Sequence, residues 1–104
     1  MTDQIQKRGK DFEAKFAHDQ DLDFKARARR NHFLALWAAG QLDVEDVDGF
    51  VETLISTGLH GDEAVAKQLR ADFDAAGVDV SDHQIEREMA DQLVKAREQV
   101  MSEV

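Results

Sequence analysis

Residues Phe12 to Ala39 read Phe-Glu-Ala-Lys-Phe-Ala-His-Asp, Gln-Asp-Leu-Asp-Phe-Lys-Ala-Arg-Ala-Arg-Arg-Asn, His-Phe-Leu-Ala-Leu-Trp-Ala-Ala. The stretch holds no Gly and no Pro, so nothing in it stops a helix. Its back half carries an apolar stripe at Leu22, Ala26, Phe33 and Trp37. Its front half offers only Phe12 and Phe16, an i,i+4 pair, before Asp19 and Asp23 interrupt the face. One helix is therefore expected with two characters: a packed rear, and a front with little of its own to bury.

The rest of the chain punctuates itself with glycine. There is no Pro among the 104 residues, and β-branched runs are few, so the protein reads as all-α. The first helix is expected to start between Lys10 and Phe12 and to run to about Ala39, with Gly40 as its C′ residue and residues 1–10 as a disordered tail. A second helix is expected from about Val44 to Ser56, with Asp43 as N-cap and Asp46 three residues on. Its stripe is Val44, Val47, Val51, Leu54 and Ile55. Gly58 ends it, and Gly49 inside it reads as a point of close helix approach. Thr57 to Gly61 connects to a third helix, from Asp62 to about Ala76, closed by Gly77 and buried through Val65, Leu69 and Phe73. A fourth opens with the capping box Ser81 and Gln84, and repeats Ile85, Met89, Leu93, Ala96 and Val100. The expected fold is a small four-helix bundle with long first and last helices and a mobile N-terminal arm. Residues 1–20 form the flexible or partly helical arm, and residues 21–104 the four-helix domain.

Composition narrows the function. A chain this size is one domain and buries roughly two-thirds of its unfolded surface, too little to hollow out a deep substrate cavity. There is no Cys, which removes disulfides, thiol catalysis and thiolate metal sites. No apolar run approaches the roughly 20 residues of a membrane span, and no apolar signal segment is legible at the start, so a cytoplasmic protein is expected. The net charge of −9 is unevenly placed: +2 over residues 1–10, zero over 11–40 and −11 over 41–104. An acidic body argues against nucleic acid or an anionic membrane, which need accumulated Lys and Arg. The basic cluster Arg27, Arg29 and Arg30 reads first as a solvated helix face, and second as an anchor for a carboxylate or phosphate.

Catalytic patterns are missing. The residues three before His18, His32, His60 and His83 are Lys15, Arg29, Thr57 and Val80, so the Glu-x-x-His pairs of a di-iron bundle do not occur. Neither does His-x-x-x-His of a zinc helix, nor a phosphate loop. Ser56, Ser81 and Ser102 stand at helix ends, where capping explains them. No metal site and no enzyme activity are expected. Trp37 reads first as core and second as a partner anchor. Phe24, on the opposite side of the wheel from Phe33 and Trp37, either meets another helix or is exposed for binding.

The segments Glu13-Ala-Lys-Phe-Ala-His-Asp19, Leu22-x-Phe24-Lys-Ala26, Ala28-Arg-Arg-Asn31 and Leu36-Trp-Ala-Ala39 resemble the zeta inhibitor subunit family of alphaproteobacterial F-type ATP synthases. So do Val78-Asp-Val-Ser-Asp-His-Gln-Ile85 and Ala96-Arg-Glu-Gln-Val-Met-Ser-Glu103. The resemblance implies a four-helix inhibitor whose N-terminal arm inserts at a catalytic alpha/beta interface of the ATPase head, contacts the central gamma shaft and blocks hydrolysis. It implies peripheral association with the inner membrane through the ATP synthase, without insertion, and the free form is expected to be a monomer. Carried onto this chain, the arm residues are Ile5, Lys7, Arg8, Lys10, Phe12, Lys15, Phe16, His18 and Asp19. No resident cofactor is implied. Members are similar in being discussed as ATP or ADP binders, which makes Arg27, Arg29 and Arg30 weak candidates for phosphate. Two rival readings are thus a nucleotide-sensing regulatory module and a non-inhibitory scaffold or assembly factor. The chain departs from the family pattern at Ile5-Gln6-Lys7-Arg8, where a Phe and an Arg-Glu pair are usual, and Gly9 lowers helicity there.

Overall fold

In the computed structural model four helices follow one another: α1 Thr2–Leu42, α2 Val47–Gly58, α3 Asp62–Ala76 and α4 Asp82–Ser102. The structure describes the backbone from Thr2 and the side chains from His18. The expected Phe12/Phe16 pair and the other arm side chains before His18 lie outside the described residues. α1 packs most extensively on α4 and α2, while α3 closes the bundle against α2 and α4. The core gathers Leu34, Ala35 and Ala38 of α1, Val51 and Leu54 of α2, Val65, Leu69 and Phe73 of α3, Val80, and Ile85 and Met89 of α4. Trp37 is half-buried and meets Phe73 edge-on, ring centroids 5.6 Å apart. The all-α four-helix architecture is the one expected.

α1 is longer at both ends than its sequence suggests. It starts at Thr2, because a lone glycine at position 9 costs only about 1 kcal/mol and does not end a helix. At the other end it runs through Gly40 and closes at Asp43, which takes the left-handed conformation with φ 56°. The Val44 N–H then donates to the Ala39 carbonyl at 3.3 Å, the 6→1 bond of a Schellman closure. Running on to Leu42 packs that side chain against the core, an apolar gain that Gly40 as a stop would forfeit.

The same shift corrects α2. Its N-cap is Asp46, not Asp43: the Asp46 carboxylate accepts from the Gly49 N–H at 3.0 Å. At Gly49 the three atoms nearest to an added Cβ all belong to that carboxylate, the first at 2.2 Å, so the local cap, not a neighbouring helix, crowds the position most. The close approach is at Gly58, where a Cβ would stand 2.2 Å from Nδ2 of Asn31 on α1. Val51 and Leu54 are buried as expected, but Val47 is 37% exposed. Phe50 packs on the core in its place. α3 and α4 follow the sequence closely. Gly77 takes the left-handed closing position, with Val78 N–H bonded to the Phe73 carbonyl at 2.9 Å. Ser81 and Gln84 form the reciprocal capping box.

Candidate partner-binding face

Two features of α1 define what this surface can do. The first is where packing begins. His18, Asp19, Gln20 and Asp21 are all exposed, Leu22 is half-buried and Ala26 is fully buried. α4 runs antiparallel to α1: Arg30 reaches the Met89 carbonyl at 3.4 Å, while Asp23, nearer the front of α1, meets Arg97 at 3.3 Å. The C-terminal end of α4 therefore lies against residues 22–29. Where it stops, a shallow groove of about 210 Å³ opens, lined by Asp19, Leu22, Asp23, Ala26, Arg97, Val100 and Met101. Phe24 is 62% exposed, and Met101 and Val104 are as open, which places Phe24 in solvent rather than against another helix. Of the arm residues expected from sequence, His18 and Asp19 are described and both are exposed. Ile5, Lys7, Arg8, Lys10, Phe12, Lys15 and Phe16 lie outside the described side chains.

The second feature is the basic cluster, in which Arg30 is buried while Arg27 and Arg29 stay part-exposed and paired. Arg30 is 1% exposed, and it is the largest fully buried side chain among the described residues. Its guanidinium donates through Nε to Asn31 Oδ1 at 2.7 Å, through Nη1 to the Met89 carbonyl and through Nη2 to Asp62. Arg27 donates to Asp23 at 2.9 Å and to the second Asp62 oxygen at 2.7 Å. Arg29 makes a two-point pair with Glu103 at the end of α4, its Nη2–Oε2 distance 3.0 Å. So the carboxylate-anchor reading describes the cluster, and each anchor is internal. A phosphate at these arginines would have to displace a carboxylate already in place.

The paired acids respond as expected. The Arg27 hydrogen bond, with Arg97 behind it, holds Asp23 below its ordinary 3.8. At Asp62 partial desolvation opposes ionisation, but Arg30 and then Arg27 outweigh it and lower the pKa. Arg29 lowers Glu103. No buried side-chain polar atom lacks a partner among the described residues. No group of His, Asp or Glu there could hold a metal ion, and no described helix is long and apolar enough to cross a membrane.

Sequence reading missed Asp62, Asn31 and the Asp23–Arg97 pair. One signal was available for Arg30: it stands four residues after Ala26 and four before Leu34, on the buried line of α1. Asp62 and Arg97 had no such signal, because their partners are distant in sequence.

The described residues thus build a small helical protein that uses its charged groups for cross-bracing and offers an exposed front on its first helix, the profile of a binding protein. The chain belongs to the ATPase inhibitor subunit zeta family, whose model matches residues 1–99. Membership gives it a regulatory rather than catalytic role, acting on ATP synthase. No curated protein matches the chain.

Proposed function

We propose that the chain inhibits an F-type ATP synthase by inserting the front of α1 at a catalytic alpha/beta interface of the head, against the gamma shaft, so that hydrolysis is blocked. The observation that carries this is the break in packing at Leu22: α1 continues ahead of its last helical neighbour, with His18 to Asp21 exposed, within a chain whose family match includes that front. A helix with an uncovered face fits the helix-in-groove mode of recognition. The residues proposed to enter the interface are Ile5, Lys7, Arg8, Lys10, Phe12, Lys15, Phe16, His18 and Asp19. Lys7, Arg8, Lys10 and Lys15 would steer the arm toward an acidic cleft. The helical body is the docking platform.

The test is ATP hydrolysis by the purified cognate head, titrated with the full chain and with a chain lacking residues 1–18. Inhibition by the full chain alone is expected, with helical content of the body retained in the truncated form. Equal inhibition by the truncated chain would refute the arm.

A further inference from the structure

The buried face of α1 is rich in small side chains. Its fully buried residues are Ala26, Leu34, Ala35, Ala38 and Ala39, together with Arg30 and Asn31. Alanine side chains interlock weakly with a neighbouring helix, so they specify poorly which turn of α1 faces which turn of its partners. The larger side chains Leu34, Trp37 and Leu42 key this seam to the core, but the alanine turns between them add little to that grip. Against that background, all three other helices converge on two adjacent residues. Arg30 reaches Asp62 at the start of α3 and the Met89 carbonyl within α4. Asn31 accepts from Arg30 and abuts Gly58 at the end of α2, where only a glycine leaves room. A guanidinium fork satisfied on several sides tolerates no slip, because one turn in either direction would strand a buried charge. Stability alone does not call for this group, since well-packed apolar residues commonly replace buried ion pairs without loss.

We propose that Arg30 is a positioning residue: with Asn31 and Asp62 it locks the register of α1 and so fixes how far, and at what rotation, the front of α1 projects from the body. The inference rests on the proposed arm for its functional consequence but not for its structural content. A slip of one turn moves the front by about 5 Å and rotates it, which misplaces the body when the arm is seated.

The natural absence of cysteine allows a direct measurement. Spin labels at Gln20→Cys on α1 and Ala90→Cys on α4, both exposed positions, report the register in the otherwise full-length chain. The parent should give one narrow distance. Arg30→Met should fold cooperatively yet show a second population displaced by about 5 Å, and its half-inhibiting concentration should rise by about threefold or more. A folded Arg30→Met with the single parental distance overturns the proposal. Should that variant not fold, Arg30→Lys keeps the stem and the charge but loses the fork, and should give a broadened distance distribution. A single parental distance there, or failure of both variants to fold, makes Arg30 a stability residue only and equally overturns the proposal. If the parent chain does not inhibit, the arm reading falls while the distance result stands.

Discussion

Asp62 shows how much can depend on one carboxylate at the start of a helix. It offers one oxygen to Arg30 and the other to Arg27, and so it neutralises the one guanidinium among the described residues that the core swallows whole. Removing one partner of a buried pair costs about 3–5 kcal/mol when both are inaccessible. Asp62 itself is half-exposed, so water can partly replace it, and Asp62→Asn should lower stability by about 2 kcal/mol in urea unfolding. Two glycines give an opposed pair of outcomes. At Gly58 a Cβ would collide with Asn31, whose amide is held by Arg30, so Gly58→Ala should destabilise by about 1–3 kcal/mol. At Gly40 a Cβ meets nothing, and the residue sits exposed inside α1, so Gly40→Ala should stabilise by about 0.5–1 kcal/mol. Thermal melts of the two variants beside the parent check both signs.

At the level of elements, the helix ends divide into those written locally and those imposed from outside. α3 and α4 end and begin where Gly77 and the Ser81–Gln84 box say, because those signals are completed within a few residues of backbone. α1 and α2 meet through a less favourable device: Asp43, not a glycine, occupies the left-handed closing position. An L-residue there costs roughly 1 kcal/mol against glycine. Asp43→Gly should therefore raise the melting temperature, by an amount equivalent to about 0.5–1 kcal/mol, without moving the ends of either helix. Amide chemical shifts across residues 39–47 would register any such movement. α1 as an element is also divided. Its rear half was legible as packed, though the buried line runs through Ala26, Arg30, Leu34 and Ala38 rather than through Phe33 and Trp37, which are half-buried. A stripe drawn only through large apolar residues rotates the wheel away from the true face, because here small residues and one arginine hold the closest contacts.

Over the whole molecule, the cross-braces tie α1 to α3 and α4 through Asp23, Asp62 and Glu103, each with its pKa held below the ordinary value. The folded state thus releases these protons more readily than the unfolded chain does. Their stabilisation is complete above the ordinary carboxylate range, and it is lost as pH falls through the lowered values. The melting temperature should stay level in that respect down to about pH 5 and decline below about pH 4. Asp62→Asn should show a shallower acid decline than the parent in a melt series from pH 7 to 2. An identical slope would mean that Asp62 does not contribute. The exposed pairs, Arg29–Glu103 and Arg97–Asp23, should matter less and weaken with salt. At the same scale, the described packing of the body begins at Leu22, so a chain lacking residues 1–18 should keep its helical content and melting temperature, which circular dichroism would check.

What the sequence determined by itself was what short-range chemistry encodes: four helices, the capping of α3 and α4, the buried faces of α3 and α4, and a first helix with a packed rear half. The family was legible too, because it is carried by continuous stretches of residues. Only the tertiary structure decided that α1 closes at Asp43, that Asp46 caps α2, and that Arg30 lies in the core. It alone showed that the arginines answer carboxylates on other helices. Those outcomes depend on residues far apart in the chain meeting in space. A guanidinium enters a core only when its partners are already arranged around it, and no local pattern records where those partners will be.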